Sequence, residues 1–124
     1  MSKPSNRINW FEIPVTNLDR SAALYGAVLG AEMKREVLFG VPHAIIVAAE
    51  DAVTGTLITD PRRVPQKGVG TVIYLHVQDV AAALARAVEA GAKVALPTTA
   101  IGPFGTMAMI EDYDGNVEGL HTPA

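Results

Sequence analysis

The stretch Ile8–Gly30, INWFEIPVTNLDRSAALYGAVLG, has an echo at Thr71–Gly91, TVIYLHVQDVAAALARAVEAG. Each copy opens with an alternating apolar run that ends in Val (Val15, Val77), continues through a polar break and an Ala/Leu-rich segment, and closes on Gly-Ala. The Val-to-Gly interval is 15 residues in the first copy and 14 in the second. A recurrence matched this closely implies a fold built from two similar halves. It restricts the architecture more than any other property of the chain.

Within each copy the periodicity names the element. In Ile8–Val15, Phe11, Ile13 and Val15 fall on one face of a strand, while Trp10, Glu12 and Pro14 fall on the other. Pro14 has no N–H to donate, which assigns this strand to an edge or seam. Thr16 or Asn17 is placed to cap a helix with the stripe Leu18, Ala22, Tyr25 and Leu29, and Gly30 stops it. Three strands are expected next, at about Glu32–Leu38, Pro42–Ala49 and Val53–Thr59.

In the second copy, Ile73, Leu75 and Val77 face the core and Val72, Tyr74 and His76 face away from it. Gln78 or Asp79 caps a helix with the stripe Val80, Leu84, Ala87 and Val88. Strands are expected over Ala92–Leu96, Phe104–Glu111 and Val117–His121, with a loop at Pro97–Gly105 and an Asp-Gly turn in Asp112–Asn116. The expected fold is therefore α+β. Two tandem βαβββ modules form a curved mixed sheet around a cleft, with the helices outside. Residues 1–124 make a single domain, with module one at about 8–60, a Pro/Gly-rich linker at about 60–70 and module two at about 71–121.

Composition narrows the function classes. The net charge is −3 and the 10 Lys and Arg residues form no basic stripe, which argues against nucleic acid. With 0 Cys there are no disulfides, thiolate metal sites or Cys nucleophiles, and a cytoplasmic location is expected. No run reaches the length of a membrane span, and MSKPSNR is no signal peptide.

The groups expected to look into the cleft are Trp10, Glu12, Tyr74, His76 and His121. Glu12 is either a general base beside an apolar Trp10 wall or a carboxylate bonded to His76 or a neighbouring strand. His76 is either its proton-exchanging partner or a fixed donor. Trp10 and Tyr74 suit a planar ligand, or equally pack the seam between the halves. Met107 and Met109 alternate on one strand face as pocket wall or core filler. His43 is expected at the surface. Glu118 falls by parity on the helix-facing side, so either the register slips there or that edge is open to solvent.

The motif Val15-x-Asn17-Leu18-Asp19-Arg20-Ser21, followed by Tyr25-x-x-x-Leu29-Gly30 and Asp112-x-Asp114-Gly115-Asn116, resembles the vicinal oxygen chelate superfamily. That group includes glyoxalase I, bleomycin-resistance proteins, extradiol dioxygenases and fosfomycin-resistance enzymes. The likeness runs from Ile8 to His121, and WFEIPV with the late GLH is most similar to uncharacterised glyoxalase-like members. Metal-binding members take their ligands from positions that correspond here to Trp10, Val72, Thr54-Gly55-Thr56 and Gly119. Indole, isopropyl and a missing side chain cannot coordinate a divalent cation, and Thr54-Gly55-Thr56 offers no carboxylate or imidazole.

The resemblance thus implies a protein without metal or cofactor that binds a small organic molecule, and homodimerises as relatives do. If it is an enzyme, it is a lyase or isomerase with Glu12 and His76 as the acid–base pair, and Trp10, Tyr74, His121, Met107 and Met109 contact the ligand. The alternatives are a non-catalytic drug- or toxin-sequestering protein of the bleomycin-resistance type, and a metalloenzyme with a displaced Glu/His site.

Overall fold

A computed structural model of the chain describes residues 3–4, 6–68 and 70–124. Strand β1 (Trp10–Pro14) leads into helix α1 (Leu18–Leu29), and β2 (Met33–Leu38), β3 (Val41–Ile46) and β4 (Thr54–Ile58) follow. The second module repeats the order with β5 (Tyr74–His76), α2 (Val80–Glu89), β6 (Lys93–Ala100), a single 3-10 turn at Gly102–Phe104, β7 (Thr106–Glu111) and β8 (Val117–Thr122). The α+β class and the tandem βαβββ order are as the repeat requires.

The backbone hydrogen bonds divide into two four-stranded mixed sheets, in the orders β1-β4-β3-β2 and β5-β8-β7-β6. In each, the strand before the helix lies parallel to the last strand of its module, and the remaining neighbours are antiparallel. β1 is an edge strand, where Pro14 leaves no ladder donor missing.

The helices start where expected. Asn17 caps α1 by accepting from the Arg20 N–H at 3.0 Å, and Asp79 caps α2 by accepting from the Ala82 N–H at 3.1 Å. Gly30 takes the left-handed conformation that closes α1, with φ 63°. The stripe of α1 is centred slightly away from the expected one: Ser21, Ala22, Leu24, Tyr25 and Val28 are buried. In α2, Ala83 is buried while Val88 is half exposed.

One apolar cluster joins both modules. Ile13, Val15, Tyr25 and Leu57 from the first meet Leu75, Val77, Ala83, Ile110 and Leu120 from the second. A shared core of this kind makes the two halves a single packing unit.

Two features depart from expectation. β6 runs on through Pro97 to Ala100, well beyond Leu96. It is an edge strand, and its register against β7 shifts between Val94 and Leu96 and again between Leu96 and Thr99, so Pro97 interrupts no regular ladder. His43 is buried (7% exposed) rather than at the surface, because β3 is an interior strand and its ring nitrogen lies 2.8 Å from the Val41 carbonyl.

Candidate functional site

Alternation along the strands sorts the expected site residues onto sheet faces. Phe11 and Ile13 turn to the core side, leaving Trp10 and Glu12 on the opposite face of their sheet, beside Thr54 and Thr56. In the second sheet, Tyr74 pairs with Gly119, His76 with His121, Met107 with His121 and Met109 with Gly119. Tyr74, His76, Met107, Met109 and His121 therefore share one face, with Gly119 among them.

Gly119 has a specific task on that face. A Cβ built there would lie 2.3 Å from the Tyr74 ring, so the ring fills the space over the glycine. His121 is fixed by its Nε2, 2.7 Å from the Phe104 carbonyl. Glu12 forms its ion pair with Arg63, from the segment between the two modules, and not with His76. Thr56 is fully buried and donates its hydroxyl to the Leu57 carbonyl.

Two hollows flank the seam between β1 and β5, with Ile73 common to both. The larger, about 640 Å³, is walled by Ile8, Phe11, Leu29, Ile46, Val53, Ile73 and Leu75, with Asn6, Arg7, Thr54, Tyr74 and His76 as its polar groups. The smaller, about 380 Å³, lies between β1 and the segment before β5 and is lined by Glu12, Ile13, Pro14, Val64, Pro65, Gln66, Thr71, Asn116 and Glu118. Tyr74 and His76 thus come together in the larger hollow, while Glu12 lines the smaller one. Trp10, Met107, Met109 and His121 stand outside both.

Behind the smaller hollow is a buried polar joint. The Asp112 carboxylate accepts from the Tyr25 hydroxyl at 2.8 Å and from the Asp114 N–H, the Asn116 N–H and the Asn116 side-chain amide, each at 2.9 Å. The same amide donates to the Pro14 carbonyl at 2.9 Å. Burial, and then the charges of Asp112 and Glu118, hold the Tyr25 phenol well above its ordinary pKa, so it remains a donor.

Glu118 stands where alternation along β8 puts it. The register does not slip and the edge is not open. Glu118 pairs with Ile110, on the helix side of its sheet, and is 4% exposed. Burial first, and then the neighbouring Asp112 charge, push its carboxyl up to about 8, against the opposing pull of the Ile73 N–H. Its Oε2 has no hydrogen-bond partner among the described residues.

The statistical model of the Glyoxalase/Bleomycin resistance protein/Dioxygenase superfamily matches residues 7–117, and the chain belongs to that superfamily. Solved structures share the fold. A hypothetical protein, SA1046, from S. aureus is 22% identical, with 96% of this chain and 95% of that one covered and a TM-score of 0.74. TnmS3, an antibiotic-binding protein from Streptomyces sp. CB03234, is 24% identical over 99% of this chain and 100% of its own, with a TM-score of 0.71. A glyoxalase/bleomycin resistance protein from the same Streptomyces strain is 25% identical over 91% and 97%, with a TM-score of 0.69. No curated protein matches the chain.

The positions from which metal-binding relatives draw ligands do not fit a divalent ion here. Trp10 and Val72 carry no metal ligand, the Thr56 side chain is fully buried, and the Tyr74 ring occupies the space into which a side chain at Gly119 would project. Among the described residues no three His, Asp or Glu side chains are grouped to hold an ion. Among them, too, no helix is long and apolar enough to cross a membrane.

Proposed function

We propose that this protein binds a small, partly apolar organic molecule stoichiometrically in the larger hollow, without a metal, as a drug- or toxin-sequestering member of its superfamily. The observation that carries the reading is the hollow itself: about 640 Å³ of mostly apolar wall with Asn6, Arg7, Thr54, Tyr74 and His76 as its polar groups. The antibiotic-binding TnmS3 and the Streptomyces bleomycin-resistance protein support it as relatives in fold. A proton transfer between Glu12 and His76 is the weaker reading, because these groups line different hollows and Glu12 is already paired with Arg63. The working assembly is taken to be a cytoplasmic homodimer, supported by the exposed Val37 and Phe39 at the β2 edge.

Titration calorimetry against a panel of drug-sized polycyclic aromatic compounds tests this. At least one compound should bind one-to-one, and Ala48→Trp, at an exposed position of the hollow wall, should weaken it at least tenfold. Glu12→Gln should leave that affinity unchanged. A panel that gives no heat, or binding indifferent to Ala48→Trp, removes the proposal.

A further inference from the structure

Arg7 stands apart from the other arginines of the chain. Arg35 pairs with Asp19, Arg62 with Asp60 and Arg63 with Glu12. The Arg20 guanidinium lies 4.3 Å from the centre of the Tyr113 ring, and Arg86 donates to the Ala27 and Val28 carbonyls. Arg7 has no partner of either kind among the described residues, and it lines the larger hollow. We propose that this hollow selects an organic anion, a flat polycyclic body carrying one carboxylate, with Arg7 as the counter-charge. The inference rests on the larger hollow being the ligand site and names the class of ligand that it takes.

The charge of the wall supports the choice of sign. The chain carries 13 Asp and Glu residues and a net charge of −3, yet no carboxylate lines the larger hollow. The other hollows differ: Glu12 and Glu118 line the one beside β1, and Glu111, Asp112 and Asp114 line another at the turn between β7 and β8. Anions are therefore repelled at those sites and meet an unpaired cation at this one.

The shape of the groups supports a carboxylate. A guanidinium is planar and presents its N–H donors as a fork that matches two carboxylate oxygens. His76 and Asn6 line the same hollow and can add an imidazole or amide N–H. Arg7 is exposed, so a carboxylate beside it keeps part of its hydration and avoids the cost of complete burial. The hydrocarbon body goes inward, against Phe11, Ile46, Ile73 and Leu75.

The test is calorimetric titration, near neutral pH, of three anthraquinones that carry a carboxylate, a carboxamide or an aminomethyl group at the same ring position. They differ in charge and little in shape. The acid should bind about fivefold more tightly than the amide, and the amine most weakly. Added salt should narrow the gap between acid and amide, because the pair is exposed. Arg7→Gln should bring the acid down to the affinity of the amide. An acid that binds no better than the amide, an amine that binds best, or a preference that survives Arg7→Gln would each overturn the assignment. If acid and amide bind equally and Ala48→Trp weakens both, the hollow remains the ligand site and its selection of anions is disproved. If none of the three binds while other polycyclic compounds do, the anion falls and the hollow stands; if no compound binds, both fall.

Discussion

Glu118 shows how one buried carboxyl couples the fold to pH. In the unfolded chain it ionises near its ordinary 4.5; in the native protein it holds its proton to about 8. Between those values the native state binds a proton that the unfolded state has released. Stability therefore falls as pH rises through the window, by about 1.4 kcal/mol per unit for this group, and levels off above 8. Glu118→Gln removes that slope. Urea denaturation at pH 5 and pH 8 should find parent and variant close at the lower pH and the variant more stable at the higher one. Equal curves at both would show that the carboxyl ionises normally. Alternation alone put this residue on the helix side, so its oddness was legible. Its protonation was not, because Asp112 approaches from a turn in the same hairpin and the burial comes from distant elements.

At the scale of elements, the repeat fixed two helices and their caps, since the capping groups sit within three residues of the N–H they accept from. The other end of α1 is different. Its last turn contains no basic residue, and Arg86 of α2 supplies the missing donors: Nε to the Ala27 carbonyl at 2.9 Å and Nη2 to the Val28 carbonyl at 3.0 Å. A cation at a helix C-terminus also opposes the helix dipole. Arg86→Met keeps the hydrocarbon stem and loses both bonds, and should cost about 1–2 kcal/mol in urea denaturation with an unchanged m-value. A variant as stable as the parent would mean that water satisfies those carbonyls equally well. Arg86 lies 59 and 58 positions from its partners, so no local pattern points to it.

Across the whole molecule the two modules are held together by a shared apolar core and one polar joint. Tyr25 and Thr16 of the first module bond Asp112 and Asp114 of the second, and Asn116 reaches back to Pro14. Tyr25→Phe leaves the buried Asp112 short of one donor and should lower stability by about 1–3 kcal/mol. Because the core is continuous, far-UV dichroism and the fluorescence of Trp10, the single Trp of the first module, should still report one coincident thermal transition. Two separated transitions would show modules that fold apart. The amino-acid sequence alone determined the α+β class, the two-fold repeat, the strand faces of Trp10, Glu12, Tyr74 and His76, and the lack of metal donors at Trp10, Val72 and Gly119. Period and residue type are local properties and survive without coordinates. Tertiary structure decided that Glu12 meets Arg63, that Glu12 and His76 line different hollows, and that Tyr74 lies over Gly119. Each of those facts depends on how segments far apart in the chain are brought side by side, which no alternation within one strand can specify.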